Sequence, residues 1–234
     1  MKVEIWSDIA CPFCYIGKTK FQAALDQFEH QADVVVSYRT FQLDPEAPKT
    51  SHLKIHDLLS QKHGMPVETA RRMNQQIINE ANQLGLKYDF DHLIVANSFD
   101  ALQLAYFAKD YDKMGAMTER LMKAYMVDGL NVSDHAVLAQ LATEVGLNAT
   151  AAIQALEAKQ YQQQIAQDRQ EAYRIGLQGV PFFVFNDQYT VSGAQPTAAF
   201  LEALNQVWQK EVAAKKDQTD DDAYCADGIC HIES

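Results

Sequence analysis

The sequence predicts an α/β fold in which two strand-and-helix segments, one at each end of the chain, enclose a purely helical stretch. Three observations predict it. Residues Lys2–Trp6 alternate charged and apolar side chains, and "DVVVSYRTFQL" from Asp33 is rich in β-branched and aromatic residues, so both read as strands. From about residue 51 to 160 the apolar residues recur with helical spacing and show almost no strand alternation. Beyond that, "PFFVFNDQYTVSG" reads as a hairpin.

Between the first two strands, Phe21, Leu25 and Phe28 fall at i, i+4 and i+7, giving a helix that starts near Pro12. Proline suits a first helical turn, where its missing N–H is not needed. After the loop "LDPEAPKTS", the helical stretch carries apolar positions Leu58, Leu59, Met73, Ile77, Ile78, Phe99, Leu102, Tyr106, Leu121 and Tyr125, with Gly85, Gly115, Gly129 and Gly146 as breaks between helices. A polar helix over about 160–177 ends at "GLQGVP". Two strands around Asn186-Asp187 follow, then an amphipathic helix from Pro196 carrying Phe200, Leu201, Leu204, Val207 and Trp208. Past about Lys210 the apolar pattern stops, which predicts a flexible acidic tail.

With 234 residues, 47% of them hydrophobic, the chain can bury a full core without stapling. Its net charge of -11 argues against nucleic acid or an anionic membrane as partner and points to small molecules or proteins. No apolar run is long enough to span a bilayer, and "MKVEIWSDIA" lacks the pattern of a signal peptide, so the expected location is cytoplasmic. The four cysteines form two close pairs, Cys11/Cys14 and Cys225/Cys230. In a chain of this size and expected location they suggest reactive or metal-binding thiols rather than structural bridges.

The segment "SDIACPFCYIG" concentrates the chemistry. A thiol attacks only as thiolate, and a free cysteine with pKa near about 8.5 is mostly protonated at neutral pH. Cys11, just before Pro12, stands where unpaired N–H groups and the positive end of the helix dipole stabilise an anion. Cys14 lies about one helical turn on, within reach of a mixed disulfide at Cys11. Neither intervening residue, Pro12 or Phe13, is charged, so thiolate stabilisation must come from the helix end and the surrounding fold. This uncharged dipeptide points to a less oxidising site than that of a periplasmic oxidase. Half of a zinc site and a pair of inert buried thiols are the competing readings, but structural zinc needs four ligands and the other cysteines lie some two hundred residues away.

"CPFC" after an N-terminal strand, the helical insertion, and "GVPFFVFN" before a hairpin together resemble the DsbA-like branch of the thioredoxin superfamily. Within that branch, "SDIACPFCYIGK", "ANSFDALQLAYFAK" and "GVPFFVFNDQYTVSGAQ" look most like the FrnE family of cytoplasmic oxidoreductases. The resemblance implies a thioredoxin-like domain from residues 1–50 and 161–212, an α-helical insertion domain at 51–160, and a tail at 213–234. It implies a thiol-disulfide oxidoreductase or isomerase acting on thiol- or disulfide-containing proteins or small thiols, with no bound cofactor. Cys11 would be the nucleophile, Cys14 the resolving cysteine, and Pro181 a cis-proline facing the dithiol, with Val180 before it offering backbone groups to an extended substrate. Proline tolerates the cis form at only about 0.5–1 kcal/mol and has no N–H to compete for the thiolate. Some relatives carry a C-terminal CxxxxC as well, which implies that Cys225 and Cys230 exchange with the active-site pair.

Other candidates carry less. Asn97 and Asp100 are placed to cap a helix, with Phe99 and Tyr106 facing a cleft between the domains. Asp8 reads either as a proton relay to Cys14 or as a turn residue, and Trp6 as core. His52 and His56, at i and i+4, lack a third ligand and read as a solvated helix face. Met114, Met117, Met122 and Met126 read as core filling, and His231 is the one residue able to join the tail cysteines on a metal. Two rival functions remain: a kappa-type glutathione transferase or glutathione-dependent isomerase, whose sites use serine where this chain has Cys11, and a zinc-binding or redox-sensor protein.

Overall fold

In the computed structural model, residues 1–223 are described as backbone, with side chains described through residue 213. The chain opens with β1 (Lys2–Ser7), α1 (Pro12–Leu25), a 3-10 turn at Gln31–Asp33 and β2 (Val35–Thr40). Strands β1 and β2 run parallel, so the connection between them must cross over, and α1 is that crossover. Six helices follow: α2 (Ile55–His63), α3 (Val67–Gln83), α4 (Phe99–Lys109), α5 (Met114–Met126), α6 (His135–Glu144) and α7 (Ala149–Glu157). Then come α8 (Gln162–Arg174), β3 (Phe182–Phe185), β4 (Tyr189–Ser192) and α9 (Thr197–Ala223). The sheet order is β2-β1-β3-β4, with β3 antiparallel to both neighbours.

Period-two alternation sends the sheet's side chains to two different cores. Val3, Ile5, Phe183 and Phe185 pack with Phe21 and Phe28 of the α1 segment and with Phe200, Leu204 and Val207 of α9. Phe183 meets Phe200 edge-on at 4.6 Å between centroids and Phe21 at 5.5 Å. On the opposite face Trp6 and Val184 pack with Phe41, Ala172 and Leu177 under α8. Glu4, on that same face, is buried but neutralised by Arg39, whose Nη2 lies 3.0 Å from its carboxylate.

A third core joins the helical block to α1. Cys11, Cys14, Tyr15 and Ile16 pack there with Leu102, Leu104, Met117, Leu121 and Met122. The Cys-bearing end of α1 therefore sits at the seam between sheet and helical block, which together we propose form the two domains described above. The four methionines of α5 are all buried, as core filling requires.

Several expectations need correction. Gly115 does not break a helix: it lies in the first turn of α5, where an added Cβ would come within 3.0 Å of the Tyr38 ring. His56 is buried rather than solvated, its Nδ1 2.8 Å from Asn74 Nδ2 and its Nε2 3.4 Å from Asp91, while His52 precedes the helix altogether. Tyr106 does not face a cleft; its hydroxyl is buried on Asp168. Helix α9 runs on to Ala223 rather than giving way near Lys210, because "KEVAAKKDQTDDDA" holds strong helix formers and no Gly or Pro. Cys225, Cys230 and His231 lie outside the described residues.

Candidate active site

Cys11 is the N-cap of α1, with extended backbone (φ -91°, ψ 115°), and Pro12 takes the first helical position. The start of the helix is closed by two backbone bonds, Cys11 N–H to Asp8 O at 3.2 Å and Cys14 N–H to Cys11 O at 3.1 Å. Both thiols are free. Cys11 is 4% exposed and Cys14 only 1%, so Cys11 is the more accessible of the two.

The second wall comes from the far end of the chain. The Val180–Pro181 peptide is cis, and the Cys11 thiol donates to the Val180 carbonyl, Sγ to O 3.6 Å. Pro181 is pressed onto α1 at Gly17: a Cβ at that position would lie 2.8 Å from Pro181 Cγ and 3.4 Å from Ala194. Only a residue without a side chain allows this approach. Phe13, between the two cysteines in the chain, is 41% exposed.

Below Cys11, Cys14 hydrogen-bonds with Cys11 and accepts the Asp8 N–H at 3.5 Å. Burial, and after it the bond to Cys11, pushes the Cys14 thiol well up from its ordinary value, so Cys14 rests protonated. Asp8 itself is buried at 1% exposure. Its carboxylate accepts from Ala10 N at 3.2 Å and Leu43 N at 2.8 Å and bonds Ser98, yet burial outweighs these bonds and raises its pKa. Asp8 is thus more than a turn residue: it ties the dithiol loop to the end of β2 and the start of α4.

Asn97 closes the same corner. Its Oδ1 accepts from Phe99 N at 2.9 Å and Gln42 Nε2 at 2.7 Å, and its Nδ2 donates to the carbonyls of Pro45 and Ala47. Asp100 instead holds His135 at 3.0 Å and Gln103 at 3.1 Å. A cavity of about 460 Å³ opens beside this corner, between Phe99 and Asn97 on one side and Ile165 and Arg169 of α8 on the other. Phe99 therefore faces a cleft, whereas Tyr106 does not.

The structure brings Cys11, Pro12, Phe13, Cys14, Val180 and Pro181 to one place. It adds Gly17, Ser98 and Tyr88, which nothing in the local sequence pattern singled out. No group of three or more His, Cys, Asp or Glu side chains arranged to hold a metal occurs among the described residues. Among them, too, no helix is long and apolar enough to cross a membrane.

Compared with known families, residues 2–205 match the model of the DSBA-like thioredoxin domain. The chain belongs to that family. This DSBA-like chain is 37% identical to a probable DsbA oxidoreductase from Streptomyces coelicolor, with a TM-score of 0.85 over 89% of this chain and 90% of that one. It is 28% identical to the uncharacterized protein YwbO of Bacillus subtilis over 89% of its own length and 98% of YwbO's. The cytosolic disulfide reductase DsbM from Pseudomonas aeruginosa, solved with GSH, shares the fold at 20% identity and a TM-score of 0.63, over 88% of this chain and all of that one. The family and the Streptomyces relative make this chain an enzyme of disulfide oxidoreduction.

Proposed function

We propose that the enzyme exchanges disulfides through Cys11 and Cys14, with Cys11 as the attacking thiol. The observation that carries the reading is Cys11 at the start of α1, 3.6 Å from the Val180 carbonyl, with Cys14 buried one turn behind it. The Cys11 thiolate attacks one sulfur of a substrate disulfide, and the other sulfur leaves as a thiolate that takes a proton from water. Cys14 then loses its proton and attacks the mixed disulfide, releasing the second substrate thiol. Two electrons pass from the dithiol to the substrate, and the reverse sequence oxidises a substrate dithiol.

The Val180 backbone meets the sulfur and Phe13, close to Cys11 in the chain, is exposed, which suits an extended peptide or a small thiol laid across the cis-proline loop. The physiological setting in this reading is cytoplasmic. Cys225 and Cys230 act as a second pair that takes up or returns the oxidising equivalents of the Cys11–Cys14 disulfide. A chain with cysteine at position 11 and a resolving cysteine three residues on is better equipped for this exchange than for activating bound glutathione.

Insulin reduction by dithiothreitol, followed for wild type, Cys11→Ser and Cys14→Ser, tests the reading. Cys11→Ser loses the catalysed rate, and Cys14→Ser accumulates a mixed disulfide with substrate that mass spectrometry places on Cys11. Equal rates for wild type and Cys11→Ser overturn it. In the Cys14→Ser chain without substrate, a linkage between Cys11 and Cys225 or Cys230 supports the relay, and its absence under an oxidising glutathione buffer removes it.

A further inference from the structure

Tyr88 reaches the dithiol from the loop between α3 and α4, far from it in sequence. Its hydroxyl donates to the carbonyl of Pro12, the residue inside the CPFC motif, at 2.7 Å. The ring is buried, stacked between Tyr15 at 6.1 Å and Phe90 at 5.6 Å between centroids. Burial, and next the proximity of Cys11, hold the phenol well above its ordinary pKa, so it remains a hydrogen-bond donor.

The bond matters because of which peptide group it touches. A helix start offers its N-cap side chain the free N–H groups of the first turn. Here Pro12 has none, and the Cys14 N–H is taken by the Cys11 carbonyl. In the structure Cys11 makes no side-chain cap bond and its thiol donates to the Val180 carbonyl, which leaves the Phe13 N–H as the first-turn donor for the ionised sulfur. It belongs to the same planar peptide unit as the Pro12 carbonyl that Tyr88 holds. A hydrogen bond to the carbonyl of an amide polarises it and strengthens the donor at its nitrogen.

We infer that Tyr88 is a positioning residue that stabilises the Cys11 thiolate through the Pro12–Phe13 peptide and so sets how oxidising the dithiol is. A phenolic donor on Pro12 O holds this peptide unit and strengthens the N–H that the ionised sulfur takes up. Stabilising the thiolate favours the reduced state, hence a more oxidising disulfide. The inference rests on Cys11 being the thiol that ionises and attacks.

The test is Tyr88→Phe in the full-length protein, which keeps the stacked ring and removes only the hydroxyl. Tyr15→Phe, which removes the neighbouring hydroxyl that bonds Glu119, serves as control. Wild type and both variants are equilibrated with mixtures of reduced and oxidised glutathione. The fraction of Cys11–Cys14 disulfide is read by mass spectrometry on tryptic peptide 3–18, which holds both cysteines. Thiolate absorbance at 240 nm is read at neutral pH.

A strengthening of about 10–30% of one charge-assisted bond corresponds to a shift of about 1.3- to 5-fold in the equilibrium constant. Tyr88→Phe shifts it by that factor toward the disulfide and lowers the thiolate absorbance, while Tyr15→Phe changes neither. A wild-type equilibrium constant and absorbance in Tyr88→Phe overturn the inference, as does an equal shift in Tyr15→Phe. Should wild type itself form no Cys11–Cys14 disulfide at any glutathione ratio, the proposed function fails, a result distinct from both.

Discussion

Gly17→Ala separates helix propensity from site geometry. In the interior of α1, alanine in place of glycine gains roughly 0.5–1 kcal/mol of helix stability. The new Cβ, however, starts 2.8 Å from Pro181 Cγ, and ordinary contact begins at 3.4 Å, so Pro181 must recede by about 0.6 Å. It cannot tilt aside freely, because Ala194 bounds the same space at 3.4 Å and its carbonyl is held by Lys20 at 3.1 Å. Overpacking of this kind costs about 1–3 kcal/mol, which leaves a net loss of roughly 0–2.5 kcal/mol. At about 2–4 °C per kcal/mol for a chain of this size, the melting temperature falls by up to ~10 °C. The larger effect is functional, since Pro181 and Val180 form the wall facing Cys11. A displacement on this scale lowers kcat/KM for insulin reduction by on the order of tenfold. The experiment pairs that assay with a thermal melt. A Gly17→Ala protein that melts higher than wild type at undiminished kcat/KM refutes the reasoning, because propensity alone would then account for the site.

Three further predictions concern hydrogen-bonded polar side chains. Asp168 accepts from Thr40 N at 2.7 Å, Thr40 Oγ1 at 2.9 Å, Arg39 at 3.1 Å and the Tyr106 hydroxyl, and Asp168→Ala strands the Thr40 and Tyr106 donors while Arg39 keeps Glu4. The expected loss is about 3–5 kcal/mol in urea unfolding, whereas Tyr106→Phe costs about 1–2 kcal/mol; equal losses for the two would contradict the account. Burial raises the Asp8 pKa above its ordinary 3.8, so between 3.8 and the raised value the folded chain binds more protons than the unfolded one. Stability from this group is present below pH 3.8 and is lost as pH rises through the raised value. The stability of Asp8→Asn relative to wild type therefore improves steadily as pH rises over that window in urea melts, and a pH-independent difference rejects the assignment. Asn97→Ala frees the Phe99 N–H and the Pro45 and Ala47 carbonyls, and is expected to lower stability by about 1–3 kcal/mol in the same measurement.

The parts of the molecule legible in the sequence are those with a local signature. The two N-terminal strands, the Pro12 helix start, the hairpin and the helical block all follow from periodicity and breakers within a few residues of each position. The dithiol was legible for the same reason, since Cys11, Pro12, Phe13 and Cys14 are contiguous and need only a helix start to gain meaning. Illegible were contacts created by chain segments meeting in space. Asp168 sits in "QQQIAQDRQEAYR", which reads as a solvated face until β2 and α4 are laid against it. Tyr88 lies in a loop with no pattern of its own, 76 residues from Pro12. Gly17 carries no local signal, because the reason for it, Pro181, lies beyond the helical block in the chain. His56 was misread because an i, i+4 histidine pair says nothing about Asn74 and Asp91, which bury and bind one of the two.

The site's two walls are separated by 169 residues, Cys11 on one and Val180 on the other. A ribosome adding about 5–20 residues per second needs roughly 8–34 s to get from the first to the second. Throughout that interval the nascent chain carries both thiols of CPFC without the loop that covers them and without β3, the antiparallel neighbour of β1. The newly made enzyme is therefore open to oxidants and to stray thiol exchange well before it can control either, and its first redox partner is whatever the compartment of synthesis supplies.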